Sequence, residues 1–218
     1  MVLSIDSELS TRFSDLAVLL LQIDGVKIQK KNEELENFKH EIMAQVRNEY
    51  NLDTLKDHQI FRAYRDFFWR IGIDPTKIRP AAEALIRRIL GGKNIPHINT
   101  LVDVYNLASI KSRIALATFD ADKLEGDLIM RFAIEGEEFY GIGMEEPLVL
   151  KGSEIVLCDN EKMIAVYPHR DADNTKVTEK TKNVTIVICG VPGISKTTLE
   201  NASKVTLEYI NRFCMDEN

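Results

Sequence analysis

The order of the hydrophobic periodicities constrains the fold of this chain more than any other feature of its sequence. Before about residue 110, apolar residues recur at three- and four-residue steps, as in Leu35, Phe38, Ile42 and Val46, which predicts amphipathic helices. After about residue 113 they form short runs bounded by Gly, Pro, Asp or Asn, which predicts strands. Because helices segregated before strands are typical of α+β folds, we expect that class rather than alternating βαβ units.

The same patterns give approximate bounds for the elements. We predict helices over residues 32–50, about 60–72, 80–92, 99–107 and 196–213. We predict strands over residues 114–118, 128–133, 138–142, 154–157, 163–167 and 184–189. The first 27 residues mix two shorter apolar runs, at 2–5 and 16–23. The expected architecture is therefore a helical N-terminal part packed on mixed β-sheet, followed by a C-terminal helix.

The composition argues against membrane-spanning, secreted and zinc-stabilised classes. The longest strongly apolar run, residues 16–21, is far too short to cross a bilayer. The N-terminus has no basic leader, so we expect no secretory signal. The three cysteines (Cys158, Cys189 and Cys214) and the four histidines lack metal-ligand spacing, so we predict no structural zinc. We expect reduced thiols, a cytoplasmic location, and no metal or cofactor.

Charge is distributed unevenly along the chain. The net charge of −6 argues against a general nucleic-acid-binding protein. Residues 61–93 nevertheless carry eight basic and three acidic side chains, a local charge of +5 on a body of −11. Such a segment would suit an anionic partner, and the candidate RNA-binding residues are Arg62, Arg65, Arg87, Arg88 and Lys93. The alternative is that these cations pair with the acidic remainder or lie on solvated helix faces.

An aromatic stripe begins the same segment. Tyr64, Phe67, Phe68 and Trp69 follow the spacing of a helix face. We interpret them as core rather than as a base-stacking platform, because stacking surfaces are usually distributed over a sheet or groove.

Residues 184–200, VTIVICGVPGISKTTLE, look like a strand running into a phosphate-binding loop. The Walker A pattern is Gly, four residues, then Gly-Lys-Ser/Thr, and Ser195 stands where the second glycine belongs. A P-loop also needs a downstream strand to supply an acid for Mg²⁺, whereas only one predicted helix follows. We therefore interpret the stretch as a strand, a Pro192-Gly193 turn and a helix start, with Thr197 and Glu200 as a capping box.

Four stretches carry a family signature. They are Ile-Gly-Ile-Asp-Pro-Thr-Lys-Ile-Arg-Pro-Ala-Ala-Glu-Ala-Leu at 71–85, Ile-Asn-Thr-Leu-Val-Asp-Val-Tyr-Asn at 98–106, Phe-Asp at 119–120, and Arg-Asp-Ala-Asp-Asn-Thr-Lys-Val-Thr-Glu-Lys-Thr at 170–181. In this order they resemble the B3/B4 domain of the phenylalanyl-tRNA synthetase beta subunit, of which freestanding copies exist. The resemblance implies a B3/B4-like domain over residues 56–218, with an N-terminal extension over 1–55 packed on it.

The resemblance also implies a pocket. In the synthetase, this domain hydrolyses the ester of tRNA misacylated with tyrosine, which makes tRNA or aminoacyl-tRNA the expected partner. Asn106 matches an asparagine of that pocket. Ala117, however, stands where the synthetase has a histidine, and an apolar residue near Val187 stands where it has the glutamate that recognises the tyrosine hydroxyl. Because a buried hydrogen-bonding partner gives strong discrimination, both departures argue against tyrosine as the substrate.

We take six polar residues as the candidate substrate pocket, namely Arg79, Glu83, Asn106, His169, Arg170 and Asp171. Aminoacyl esters are labile, so a positioned water in an electropositive pocket could suffice, and we assign no catalytic residue. Each candidate has a structural alternative. Glu83 and Arg87 have the spacing of a helix-surface pair, Arg79 could steady its turn, and Asn106 could hold its helix on the sheet. Residues 169–171 could be a solvated turn.

Three functions remain open from the sequence. The first is a trans-editing deacylase of misacylated tRNA. The second is a non-catalytic RNA- or tRNA-binding module that keeps the fold without the pocket chemistry. The third is a small-molecule binder or hydrolase that reuses an amino-acid-like pocket. A synthetase or another protein is a further possible partner.

Overall fold

The computed structural model describes residues 1–216, which contain six α-helices and ten β-strands. The helices are α1 (Ser7–Arg12), α2 (Glu33–Glu49), α3 (Gln59–Arg70), α4 (Ala81–Leu90), α5 (Thr100–Ser112) and α6 (Lys196–Phe213). The strands are β1 (Leu3–Ile5), β2 (Leu19–Ile23), β3 (Ala115–Asp120), β4 (Leu128–Phe132), β5 (Glu138–Phe139), β6 (Leu148–Val149), β7 (Ile155–Cys158), β8 (Met163–Tyr167), β9 (Arg170–Asp171) and β10 (Val184–Cys189). The expected α+β class is confirmed, with helices α2 to α5 ahead of strands β3 to β10.

Two larger sheets and one short hairpin make up the β part. The first sheet has the order β1-β4-β7-β8-β9 and is mixed, because β1 runs parallel to β4 and the other neighbours are antiparallel. The second sheet has the order β2-β10-β3 and is antiparallel. Strands β5 and β6 form the hairpin. Strands β9 and β3 are edge strands of the two larger sheets, and the candidate site lies between them.

One large hydrophobic core joins both sheets to the helices. Helix α5 is buried on nearly all sides, including Leu101, Val104 and Leu107, because it packs between α6, α4 and strand β3. Strand β10 is buried along its whole length. A smaller cluster that includes Phe139, Leu150 and Val166 covers the other face of the five-stranded sheet.

Side-chain caps fix the starts of most helices. Asn32 accepts a hydrogen bond from the Leu35 amide at the start of α2, and Asn99 accepts one from the Val102 amide at the start of α5. The ring of His58 does the same for α3. Such caps satisfy backbone donors that have no partner within the helix. The observed bounds of these helices agree with the sequence periodicity to within a few residues.

Several details differ from the sequence prediction, among them α5, which ends at Ser112 rather than near residue 107, and the two-residue strands β6 and β9, which were not predicted. Helix α1 was not expected, because its six residues are too few for a periodicity to show. Strand β5 ends at Phe139 rather than near residue 142, since the chain turns at Gly141 and Gly143. The core assignment of Trp69 is wrong, because its side chain is 57% exposed, whereas the other three residues of the aromatic stripe are buried. No helix within residues 1–216 is both long and apolar enough to cross a membrane.

The first 55 residues contribute a strand to each of the two larger sheets. Strand β1 pairs with β4, and strand β2 pairs with β10 along five residues. Helix α2 packs on α4 and α5. The division into an extension over 1–55 and a domain over 56–218 stays a prediction. Its two parts share sheets and a core.

The Walker-like stretch is a strand, a turn and a capped helix, but its cap is not the predicted one. The Oγ atom of Ser195 accepts a hydrogen bond from the Thr198 amide at 3.2 Å, so Ser195 is the N-cap, and the predicted Thr197–Glu200 capping box is wrong. Gly190 is required by close packing, because a Cβ there would lie 2.1 Å from the carbonyl oxygen of Ala17. Lys196 is 78% exposed and points to no phosphate cradle.

Replacing Ser195 with alanine is expected to lower the free energy of unfolding by about 1 kcal/mol, because the Thr198 amide loses its acceptor. The matched control is Thr197→Ala, which removes a hydroxyl from the first turn without touching the cap, and it should stay within about 0.5 kcal/mol of the parent protein. Urea unfolding of both variants measures the two values. Equal destabilisation by both changes would contradict the assignment of Ser195 as the cap.

Candidate functional site

Asp171 is the most unusual ionisable group of the predicted set. It lies on β9, the edge strand of the five-stranded sheet, opposite Ala165 of β8. Its carboxyl group reaches across to β3, where it interacts with the backbone amide of Thr118. Burial raises the pKa of Asp171 to about 7, although the Thr118 amide acts in the opposite direction by favouring the charged form. The carboxyl group is therefore poised to exchange a proton near neutral pH.

Groups from two other elements face this carboxylate. Burial raises the pKa of the Tyr105 phenol on α5, and the nearby charge of Asp171 raises it further. Burial also raises the pKa of the Cys189 thiol at the end of β10, and the charge of Asp171 raises it further. Asp171 therefore lies at the junction of α5, β3, β9 and β10.

Two side-chain hydroxyl groups near this junction have no hydrogen-bond partner within residues 1–216. The Oγ1 atoms of Thr118 and Thr175 are buried and make no hydrogen bond within residues 1–216. The two residues are neighbours in space, since a β-bridge joins Phe119 to Lys176, the next residue in each case. A buried polar atom without a partner is uncommon, and one explanation is a bound molecule that completes its hydrogen bonds.

Asn106 follows Tyr105 on α5 and is half-buried. Its side-chain amide makes no hydrogen bond to any of the described residues. The structure thus brings Asp171 beside α5 and leaves the Asn106 amide available. An amide can both donate and accept, so it can orient a carbonyl group or a water molecule.

The two positions that depart from the synthetase pattern face each other. Ala117 of β3 lies directly opposite Val187 of β10, and both belong to the hydrophobic core. Side chains directly opposite in an antiparallel pair are about 5 Å apart. The expected histidine and glutamate are therefore replaced together by one apolar contact at the floor of this region.

His169 and Arg170 lie away from Asp171. Arg170 is exposed and opposite Val166, on the other face of the sheet, where its aliphatic stem covers Gly141. His169 lines a cleft between the loop after α3 and the β5–β6 hairpin. Burial, followed by the charge of Arg170, lowers the pKa of His169 to about 4, so the ring is neutral at pH 7. Its Nδ1 atom is buried and has no partner within residues 1–216.

Glu83 is the centre of a buried ion cluster. Its carboxylate is fully buried, with Arg87 Nε 2.8 Å from Oε1 and Arg65 Nη1 3.2 and 3.3 Å from the two oxygens. The helix-surface alternative is thus wrong about exposure, although the predicted pair with Arg87 is present. Both arginines are mostly buried, with side chains 18% and 24% exposed. The cluster joins α3 to α4.

The remaining basic residues lie in two clefts. Arg79 lines a groove of about 460 Å³ on α4, and the other cations of that groove are Lys77, Arg87, Arg88 and Lys93. Arg62 lines a separate cleft of about 370 Å³, where Asp15 and Asp66 offset its charge. The five predicted RNA-binding residues therefore have different surroundings. Arg88 and Lys93 line the groove and form no ion pair among the described residues, whereas Arg65 and Arg87 bind Glu83, and Arg87 also lines the groove. Arg62 lies near acidic side chains.

A second charged cluster has the donor types of a metal site. Single ligand atoms of Glu36, His97 and Asp103 lie within 4.8 Å of one another. The ammonium group of Lys39, however, lies 2.8 Å from Asp103 Oδ2 and 3.1 Å from Glu36 Oε1. Because a lysine already supplies the positive charge at its centre, we interpret the cluster as a network of ion pairs that links α2 to α5.

Sequence reasoning missed Thr118, Thr175 and Tyr105 as site residues. All three lie within or beside the motifs that carried the family resemblance, so their positions were visible. Their burial was not visible, because it depends on the meeting of β3, β9 and α5, which are distant in the sequence.

The fold and this site define a class of protein: an α+β domain with a cluster of polar side chains where a buried helix meets two edge strands. Residues 63–214 match the model of the B3/4 domain, so the chain belongs to the B3/4 domain family. The family resemblance expected from the sequence is confirmed.

The relatives are synthetase subunits that are much longer than this chain. The phenylalanine–tRNA ligase beta subunit of Fusobacterium nucleatum is 33% identical over 147 residues, which are 66% of this chain and 18% of that protein. The subunit of Protochlamydia amoebophila is 36% identical over 88 residues, 40% of this chain and 11% of that protein. The chain thus spans less than a fifth of either relative. A crystal structure of an N-terminal fragment of the phenylalanyl-tRNA synthetase beta subunit from Pyrococcus horikoshii aligns with a TM-score of 0.46 at 14% identity, over 88% of this chain and 74% of that chain.

Proposed function

We propose that this protein hydrolyses the ester bond of misacylated tRNA. The observation that carries the proposal is the half-buried carboxyl group of Asp171, which lies near α5 and the Thr118 amide in a B3/4 domain and whose pKa is raised to about 7. The relatives named phenylalanine–tRNA ligase beta subunit supply the substrate class. Under this proposal the partner is aminoacyl-tRNA in the cytoplasm, and a synthetase is a further candidate partner.

In this mechanism Asp171 is the general base. A base with a pKa close to the working pH combines a useful ionised fraction with a useful basicity, and the pKa of Asp171 is about 7. The carboxylate takes a proton from a water molecule while the water oxygen attacks the ester carbonyl carbon. The bond from that carbon to the ribose oxygen then breaks, and the proton returns to the ribose oxygen. The products are a free amino acid and uncharged tRNA.

Asn106 and the two threonine hydroxyls are the groups that would position the ester. The amide of Asn106 and the Oγ1 atoms of Thr118 and Thr175 are polar and without partners among the described residues. Donors that are fixed before the reaction stabilise the developing oxyanion without reorganisation. Ala117 and Val187 would present an apolar surface instead of a phenol-binding glutamate, so we propose an amino acid other than tyrosine.

A second candidate function is a non-catalytic RNA-binding module. The apolar contact between Ala117 and Val187 favours it, because both polar groups expected in the synthetase pocket are absent at once. This candidate differs from the first in one measurable respect: it binds tRNA and releases no amino acid.

The experiment that tests the first function is a deacylation panel. Purified protein is mixed with tRNAs that carry non-cognate labelled amino acids, and release of the label is followed against a blank without protein. At least one pair should be hydrolysed well above the blank. Binding of the panel without hydrolysis of any pair would leave the non-catalytic module as the function.

A further inference from the structure

The groove on α4 carries positive charge without neutralisation. Its charged lining consists of Lys77, Arg79, Arg87, Arg88 and Lys93, and no acidic side chain lines it among the described residues. Arg87 is held by Glu83, whereas the other four cations form no salt bridge within residues 1–216. Four unpaired cations on a protein of net charge −6 mark the groove as a place for an anion.

The span of these cations calls for more than one phosphate group. Arg79 precedes α4 and Arg88 lies in its last turn, nine residues later. At 1.5 Å per residue this separates their backbones by about 13 Å. A single phosphate group cannot contact both ends of the groove, but a nucleic-acid strand has a phosphate at every nucleotide.

An apolar cleft adjoins the groove. It has a volume of about 290 Å³, and its apolar walls come from Ile71, Ile73, Ile78, Leu148, Val149 and Val166. Its polar lining is Asp74, Lys77, Lys151, Ser153, Glu154 and His169, so two carboxylates lie in it beside two lysines. Lys77 lines both the cleft and the groove, so the two are adjacent. Ile78, Leu148 and Val149 are 44%, 39% and 55% exposed, which is a marked apolar patch for a protein surface.

The cleft also contains one hydrogen-bonding group without a partner. His169 lines it, and the buried Nδ1 atom of that ring makes no hydrogen bond to any of the described residues. The ring is neutral near pH 7, since its pKa is about 4. Because Nδ1 is buried, Nε2 is the ring nitrogen that a base in the cleft would contact, and a neutral imidazole can hydrogen-bond to a base edge without attracting a phosphate.

We infer that the groove and the cleft together bind single-stranded RNA, with consecutive phosphates along α4 and one unpaired base in the cleft beside His169. The site is separate from Asp171. Val166 lines the cleft and pairs with Arg170, and Asp171, the next residue of β9, points to the opposite face of the sheet. The inference rests on the proposed function only in taking RNA as the partner, and it assigns the surface that holds the strand. An unpaired base is required because a base that is paired and stacked in a helix cannot enter the cleft.

The test is fluorescence anisotropy with a labelled 12-nucleotide single-stranded RNA that carries no aminoacyl ester. The groove variant is Arg88→Gln with Lys93→Gln, which removes two exposed cations. We expect its affinity at 0.1 M salt to fall tenfold or more, and the slope of log K against log salt to shrink by about 1.4. The matched control is Lys56→Gln with Lys204→Gln, which removes the same charge from exposed sites outside the groove and the cleft, and it should change affinity less than threefold.

A second arm tests the cleft. The same measurement is made with an abasic spacer oligomer of equal length, which has the phosphates and no bases. The parent protein should prefer the RNA by at least fivefold, in the range of one base contact, and His169→Ala should remove that preference without changing the salt slope. Absence of RNA binding at 50 mM salt, equal losses in the groove variant and its control, or equal affinity of the parent protein for the abasic oligomer and the RNA would overturn the inference. None of these readouts depends on ester hydrolysis, so the binding site and the deacylase proposal fail separately.

Discussion

Asp171→Asn is expected to slow hydrolysis of the best misacylated tRNA by about 10²- to 10⁴-fold, because the general base is lost while the shape of the side chain is kept. The carboxylate lies near the Thr118 amide, which favours its charged form. Single-turnover deacylation measures the rate without the complication of tRNA release. Binding of the substrate should be nearly unchanged, since the groove on α4 lies elsewhere.

The matched control is Asp173→Asn. Asp173 lies two residues farther along, its side chain is 48% exposed, and it makes a surface ion pair with Lys176. A surface pair of this kind contributes little, so the control should keep the parent rate within about twofold. A similar rate for Asp171→Asn and the parent would remove Asp171 from the mechanism.

The pH dependence provides an independent check on the same carboxyl group. The rate for the parent should rise with pH and level off above about pH 7, as Asp171 loses its proton. Stability should respond in the opposite sense. The native state holds this proton more tightly than the unfolded chain, whose pKa is near 3.8, so this group destabilises the fold as pH rises from about 4 to 7. The gap in unfolding free energy between Asp171→Asn and the parent should therefore widen over that range. His169 acts with the other sign, because its pKa is lowered, and it is present in both proteins.

The largest effect on stability is expected from Glu83→Ala. The change leaves Arg65 and Arg87 mostly buried without their counter-ion, and breaking a buried pair in this way costs about 3–5 kcal/mol. Urea unfolding measures the loss. Glu41→Ala removes an exposed glutamate from α2 and should stay within about 0.5 kcal/mol of the parent.

Replacing all three members of the Glu83 cluster distinguishes the net contribution of the ion cluster to the free energy of unfolding from the cost of leaving two buried arginines without a counter-ion. Glu83→Leu combined with Arg65→Leu and Arg87→Leu should recover most of the stability lost in Glu83→Ala, because apolar groups of similar volume carry no desolvation penalty. If Glu83→Ala costs less than about 1 kcal/mol, the cluster is hydrated and its arginines are free to serve another partner.

The sequence predicted the helices and most strands well, because their periodicity is local. It could not predict how strands pair when they are distant in the chain. Leu3 lies beside Leu128, and Val187 lies beside both Leu20 and Ala117. No local pattern records these registers, which is why β1 and β2 show in the sequence only as apolar runs.

The basic residues of 61–93 show that the sequence also does not reveal which side chains form ion pairs across different elements. The sequence offered two alternatives, a free cationic face and pairing with the acidic remainder, but the observed ion pairs are with Glu83, an acid of the segment itself. Arg65 and Arg87 pair with Glu83, while Arg88 and Lys93 face the groove. The spacing of Glu83 and Arg87 was informative, but nothing in the sequence indicated that Arg65 of another helix would share the carboxylate.

The central place of β10 in its sheet has a consequence for synthesis. The strand lies between β2, which starts at residue 19, and β3, which starts at residue 115, and it ends at residue 189. Until that residue has left the ribosome, β2 and β3 have no common partner. Long loops must close before these contacts form, which slows folding. The nascent chain therefore exposes the unpaired edge of β2 for most of translation and that of β3 for its last part, until β10 has been made.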